Sequence, residues 1–339
     1  MLTMLILVLL SAVENQLHGK NNMKGVVLDV KSIDIGDIDF SGLESVVDYW
    51  QYYDNTHDDE IQTRIQDADI VVANKVSLQK RHIAQANQLK LICVAATGIN
   101  NIDLEAAAEL GVCVTNVTNY ATPSVVQHVF CLILALSRKL NQYQAAIRDG
   151  RWQQSEFFCL LDYPVRELAG KTLGIIGYGV LGQAVATVGE AFGMRVLIAD
   201  RKGVAPREGR VTFEQLMSES DVVSLHCPLT ADTSNLIDKK ELALMKSGAL
   251  LINTARGGIV NETALVTALE SGKLGGAGFD VLGNEPPTQG NPLLEVELPN
   301  LIVTPHIAWA SVEARQRVID EIVKNIAAFR KGEPRNIVA

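Results

Sequence analysis

The chain has 339 residues, 47% of them hydrophobic and 20% charged, the balance of a soluble globular protein with room for two domains that each bury a core. Its 39 acidic residues against 30 basic give a net charge of -9 with no basic cluster, which argues against nucleic acid as a partner. The five cysteines, Cys93, Cys113, Cys131, Cys159 and Cys227, are odd in number and scattered, as reduced thiols in a cytoplasm are, rather than paired for disulfides or a metal.

Residues 1–22 begin MLTMLILVLLSAV, shorter than the ~20 residues of a spanning helix and without the basic start of a signal peptide. They are read as an extension outside the fold, with secretion the minor alternative, and no membrane partner is expected. From Met23, GVVLDV, SVVDYWQYY, ADIVVANK, LKLICVAA and GVCVTNV read as strands, with helices predicted over 59–66, 78–88 and 103–110. Strands alternating with helices imply a parallel sheet covered on both faces, ending near Asn119.

Thr122-Pro123 has the form of a helix start, a hydroxyl followed by proline in the first turn. The helix predicted over 124–140 is apolar nearly all round and therefore buried, with His128 a satisfied core histidine rather than a ligand. Residues 141–168 are less regular and carry Tyr143, Trp152, Phe157, Phe158 and Tyr163. They form either an arm against another subunit or a long packed loop.

Residues 171–200, KTLGIIGYGVLGQAVATVGEAFGMRVLIAD, combine a buried strand, a glycine turn, a helix and a second strand ending on an acid. Gly177 permits the sharp turn, Gly179 lets the backbone approach a pyrophosphate, and Gly182 lets helix pack on strand. The free N–H groups at the helix start then face phosphate. A lone glycine turn is weak, but the whole series points to a dinucleotide. Asp200 is placed to accept hydrogen bonds from the adenosine ribose and would repel a 2′-phosphate, which favours NADH over NADPH. Arg201 and Lys202 speak against this, since they could neutralise a phosphate, although solvated residues after a strand is the preferred reading.

DVVSLHC, GALLINTA, GGAGFDV and LIVTPHI add strands to a second parallel sheet of about six, with helices predicted over 238–246 and 262–271. A last helix, predicted over 312–330, returns to cover the first domain. Parallel sheets bind ligands beyond the carboxyl ends of their strands, and three polar residues stand there: Arg256, Glu285 and His306. Arginine can grip a carboxylate and polarise a carbonyl, histidine can pass a proton, and a carboxylate beside it favours the imidazolium form. Singly, each is equally a helix-start arginine, a turn carboxylate and a loop histidine. Three at the strand ends of one sheet are less readily accidental.

GIIGYGVLG, NTARGGIVN, GFDVLGNEPP and TPHIAWAS resemble the motifs of the D-isomer-specific 2-hydroxyacid dehydrogenases, and the likeness runs from about Met23 to the C-terminus. The resemblance implies two doubly wound α/β domains. One is a Rossmann NAD-binding domain over 121–310, and the other a discontinuous flavodoxin-like substrate-binding domain over 23–120 and 311–339. It implies that Arg256 anchors the substrate carboxylate and carbonyl, that His306 is the acid/base, and that Glu285 orients it. Val180 and Leu181 would touch the pyrophosphate, Asp280 would hold the nicotinamide carboxamide, and Thr254 and Ala255 would lie beside that ring. Backbone donors at Thr97 and Gly98 would complete the carboxylate site, with Lys75, Tyr120 and Trp309 deciding among substrates. The expected reaction is NADH-dependent reduction of a small 2-oxo acid, foremost hydroxypyruvate to D-glycerate, by a cytoplasmic homodimer without a metal. Glyoxylate or D-lactate specificity is the alternative within the enzyme class, and a dinucleotide-sensing corepressor-like scaffold the alternative outside it. Asn261, where an aspartate is commoner, and residues 1–22 depart from the family pattern.

Overall fold

The structure is a computed structural model that describes residues 23–339; the extension expected at 1–22 lies outside the described residues. In chain order, β1 (Lys24–Val27), α1 (Ser41–Glu44), β2 (Tyr49–Tyr52), α2 (Ile61–Ile65), β3 (Ile70–Ala73), α3 (Lys80–Ile83), β4 (Leu91–Val94), α4 (Leu104–Glu109) and β5 (Cys113–Thr115) come first. Two helices follow, α5 (Thr122–Ser137) and α6 (Leu140–Arg148). Then come β6 (Thr172–Ile176), α7 (Val180–Ala191), β7 (Arg195–Ile198), α8 (Phe213–Glu219), β8 (Val222–Leu225) and α9 (Lys239–Leu244). The chain closes with β9 (Ala249–Asn253), α10 (Glu262–Glu270), β10 (Leu274–Phe279), β11 (Leu301–Val303) and α11 (Val312–Arg330).

The described residues divide into two compact units, 23–121 with 310–339, and 122–309. In the first, five parallel strands stand in the order β2-β1-β3-β4-β5. Every residue of β3 and β4 is buried, as their unbroken IVVA and LICV runs require of strands covered on both faces. One face packs Ile61, Ile65, Leu78, Ile83 and Ile102 against Val26, Val71 and Ile92. On the other, Val27, Ile70, Val72 and Leu91 meet Leu43, Trp50 and the Val318, Ile319, Ile322 and Ile326 stripe of α11. That spacing of three and four residues is one side of a helix. Ser311 starts α11 by accepting the Ala314 N–H at 3.2 Å. Arg315, nearly buried, donates to the Ile33 carbonyl at 3.2 Å and to both oxygens of Asp37 at 2.6 and 2.7 Å.

The second unit has six parallel strands in the order β11-β10-β9-β8-β6-β7. The chain leaves β7 and crosses to the far side of β6, so the strand order reverses between β6 and β8, where such sheets hold ligands. Helix α5 is buried through Val125, Val129, Phe130, Leu132, Ile133 and Leu136. It begins two residues before the predicted start and ends three early, because Lys139 takes a left-handed backbone (φ 55°). The chain then resumes as α6, where an irregular segment was expected. Helix α8, which sequence reading missed, is a short element capped by Thr212, whose hydroxyl accepts the Gln215 N–H at 3.1 Å.

Candidate active site

The turn after β6 places three glycines with different duties. Gly177 has φ 94°, and a side chain on it would run into the backbone of His226 and Cys227. A side chain on Gly182 would strike the Gly177 carbonyl, so only glycine lets α7 dock on β6. A side chain on Gly179 would meet nothing within 4 Å: that face of the turn is open. Gly179 is also the N-cap of α7 and offers its first N–H groups no side-chain acceptor, and Val180 beside it is exposed. An open cradle of unsatisfied donors at a helix start fits a pyrophosphate.

Asp200 follows β7 and is nearly buried, but its carboxylate is occupied. Arg207 donates its backbone N–H at 2.7 Å, its Nε at 2.9 and 3.2 Å, and a further guanidinium nitrogen, and Arg210 reaches it at 3.4 Å. The Arg207 side-chain hydrogen bonds first, then its backbone N–H, hold the Asp200 pKa down to about 2. Lys202 is instead paired with Glu241 at 2.8 Å. Arg207 and Arg210 were missed in the sequence, lying 7 and 10 positions beyond the acid.

Beyond β9, β10 and β11, which are neighbours in the sheet, lie the loops carrying Arg256, Glu285 and His306. His306 Nδ1 and Glu285 Oε2 are 2.6 Å apart, and the other carboxylate oxygen accepts the Leu282 N–H at 2.8 Å. Both side chains are about one-third exposed, at 34% and 33%. Arg256 is exposed and donates to the Ala255 carbonyl at 2.7 Å. Its loop is shaped by buried Asn253, which accepts the Ala255 N–H at 3.1 Å and donates to the Arg256 carbonyl at 2.9 Å. A side chain on Gly257 would overlap the Leu282 carbonyl, so the loop of Arg256 lies directly against the one that leads to Glu285.

Asp280, 1% exposed, organises the histidine loop. Its carboxylate accepts the Thr304 hydroxyl at 2.5 Å and the Ile307 and Ala308 N–H groups at 2.9 and 2.8 Å, and its carbonyl accepts the His306 N–H at 2.9 Å. Because Thr304 gives its one proton to Asp280, it accepts from His128 Nε2 at 2.9 Å, which fixes the tautomer of that histidine. The expected core histidine thus ends a chain of bonds leading to His306, and neither it nor Thr304 carried a sequence signal of this. Trp309 Nε1 donates to the His306 carbonyl at 2.9 Å. Thr254 Oγ1 is buried without a hydrogen-bond partner. An orphaned hydroxyl at the end of β9 fits an amide placed beside it.

In the first unit, the buried Asp29 carboxylate accepts the N–H groups of Asn74, Lys75 and Val76, leaving the Lys75 side chain exposed. Thr97 donates to the Val117 carbonyl at 2.8 Å, beside Gly98, and the Tyr120 carbonyl accepts from Arg317 at 2.7 Å.

A family model described as D-isomer specific 2-hydroxyacid dehydrogenase, NAD binding domain, matches residues 130–308. The chain is 47% identical to a glycerate dehydrogenase of Methylorubrum extorquens, over 93% of this chain and 98% of that protein. It is 39% identical to a hydroxypyruvate reductase of Blautia hydrogenotrophica, over 93% and 99%. A crystal structure of D-lactate dehydrogenase from Aquifex aeolicus complexed with NAD and lactic acid superposes with a TM-score of 0.75 at 32% identity, over 91% of this chain and 96% of that one.

Proposed function

This chain belongs to the D-isomer specific 2-hydroxyacid dehydrogenase family, and we propose that within it the protein reduces hydroxypyruvate to D-glycerate with NADH as preferred donor. The observation that carries the chemistry is the 2.6 Å bond between His306 Nδ1 and Glu285 Oε2, which leaves Nε2 as the nitrogen that can hand a proton outward. The names of the relatives, a glycerate dehydrogenase and a hydroxypyruvate reductase, support the choice of oxo acid.

When bound, the dihydronicotinamide supplies the hydride to C2 of the oxo acid. Gly177, Gly179, Val180, Leu181 and Gly182 would hold the pyrophosphate and Asp200 the ribose, while Thr254, Ala255 and Asp280 would face the carboxamide. Arg256 carries a fixed positive charge for the substrate carboxylate and draws electrons from the C2 carbonyl. His306, as the imidazolium, delivers its Nε2 proton to the carbonyl oxygen as that oxygen gains charge, and Glu285, accepting from Nδ1–H, holds the ring in place to do so. Thr97 and Gly98 are proposed as further carboxylate donors, and Lys75 and Trp309 as selectors of the substrate tail.

We read the protein as a homodimer of the cytoplasm. Trp152, Phe157, Phe158 and Leu161 are 49, 74, 92 and 82% exposed along one short stretch, an apolar surface that a second copy would cover. All five cysteines are free thiols, as a reducing compartment keeps them. Among the described residues no helix is long and apolar enough to cross a membrane. Sedimentation of F157S/F158S/L161S should give monomer; an unchanged dimer would place the interface elsewhere.

The deciding experiment follows NADH absorbance with hydroxypyruvate, glyoxylate and pyruvate in turn. Fastest turnover on hydroxypyruvate is expected, and a clear preference for glyoxylate would reassign the substrate. NADH binding without consumption on any oxo acid would favour the scaffold, a role that the His306–Glu285 pair makes unnecessary to invoke.

A further inference from the structure

The acid after β7 carries more positive charge around it than a reader of ribose hydroxyls needs. Two guanidinium groups, Arg207 and Arg210, meet the single Asp200 carboxylate, which leaves one net positive charge (two minus one) where the adenosine 2′ substituent would arrive. Arg210 also lies over the ring of Tyr178, 5.7 Å from its centroid, so one side chain touches both the acid and the glycine turn. Lys202 is held by Glu241 and takes no part. The Arg207 side chain is 68% exposed and can turn without disturbing the core, whereas the Asp200 side chain is 5% exposed and cannot.

A bare carboxylate excludes a 2′-phosphate by repulsion. This one is already neutralised, so the repulsion is largely cancelled before a nucleotide binds. For free 2′- and 3′-hydroxyls to bond Asp200, Arg207 must first give up some of its four contacts to that carboxylate. A 2′-phosphate offers the guanidinium groups a second anion of matching geometry. We infer that Arg207 and Arg210 form a 2′-phosphate subsite beside Asp200, so that the protein accepts NADPH as well as NADH, and that Arg207 sets the ratio between them. The inference rests on the dinucleotide reading of the glycine turn.

The test is equilibrium binding of NADH and NADPH to the full chain, followed by nicotinamide fluorescence without oxo acid, since the two differ only in the 2′-phosphate. Wild type should bind NADPH within about tenfold of NADH, and R207A should weaken NADPH by about tenfold while leaving NADH unchanged or tighter. R210A should shift the same ratio by less, and added salt should narrow the effect of R207A, because its guanidinium is exposed. Wild type rejecting NADPH by a hundredfold or more would overturn the inference, as would R207A weakening both nucleotides equally. Binding of neither nucleotide would remove the dinucleotide site itself, a failure distinct from an unchanged ratio in a protein that still binds NADH.

Discussion

His306 stands in a left-handed backbone conformation, φ 54°, that costs an L-residue about 1–2 kcal/mol. Three N–H groups on Asp280, from His306, Ile307 and Ala308, hold it there and aim the imidazole at Glu285. Replacing the proton donor with H306Q should lower kcat by ~10²–10⁴-fold with NADH affinity unchanged. R256A should chiefly raise KM for the oxo acid, and normal kinetics in either variant would remove that residue from the mechanism. Thr254 allows a sharper test, because its buried hydroxyl has no partner. T254V keeps its shape and deletes the orphan, so the ligand-free protein should gain up to about 1 kcal/mol while nucleotide affinity falls; lower stability with unchanged affinity would mean that the hydroxyl serves only the fold. Arg256, Glu285 and His306 were legible because strand ends can be found from apolar runs. Arg207, Arg210 and Thr304 were not, because their meanings depend on how a loop folds back onto a buried carboxylate.

At the scale of the element, the glycine turn separates two demands that one motif combines. A methyl at position 179 points into open space and leaves φ at -82°, so G179A should fold normally yet bind nucleotide less well. A methyl at 182 meets a backbone carbonyl, so G182A should lose about 1–3 kcal/mol as α7 is pushed from β6. Thermal melts with and without NADH separate the two; equal loss of stability would mean that the open face of the turn serves packing after all. Both parallel sheets were legible, since buried strands such as β3 and β9 contain the unbroken apolar runs IVVA and ALLI. The break between α5 and α6 was not, because Lys139 takes a conformation for which glycine is the usual signal. Asn261 does what an aspartate would at the start of α10, accepting the Ala264 N–H at 3.1 Å, so this departure from the family pattern keeps the cap.

At the scale of the whole molecule, His226 leaves its mark on the pH response. Burial pushes the pKa of His226 from 6.5 down to about 4, and its Nε2 is 2.8 Å from Ser224 Oγ. Below its ordinary value the unfolded chain takes up a proton that the folded chain refuses. Its contribution is therefore intact above pH 6.5 and declines as pH falls toward about 4. The loss should be on the order of 1–3 kcal/mol, and H226N should flatten that slope whatever it does to stability near neutrality; an equally steep decline in both proteins would acquit the histidine. The return of α11 to the first sheet has a consequence during synthesis. Strands β1, β3 and β4 leave the ribosome long before Val318, Ile319, Ile322 and Ile326, which complete their core, have been made. Residues 122–309 are made in full before α11, so the sheet that is synthesised first should be the later of the two to close its core.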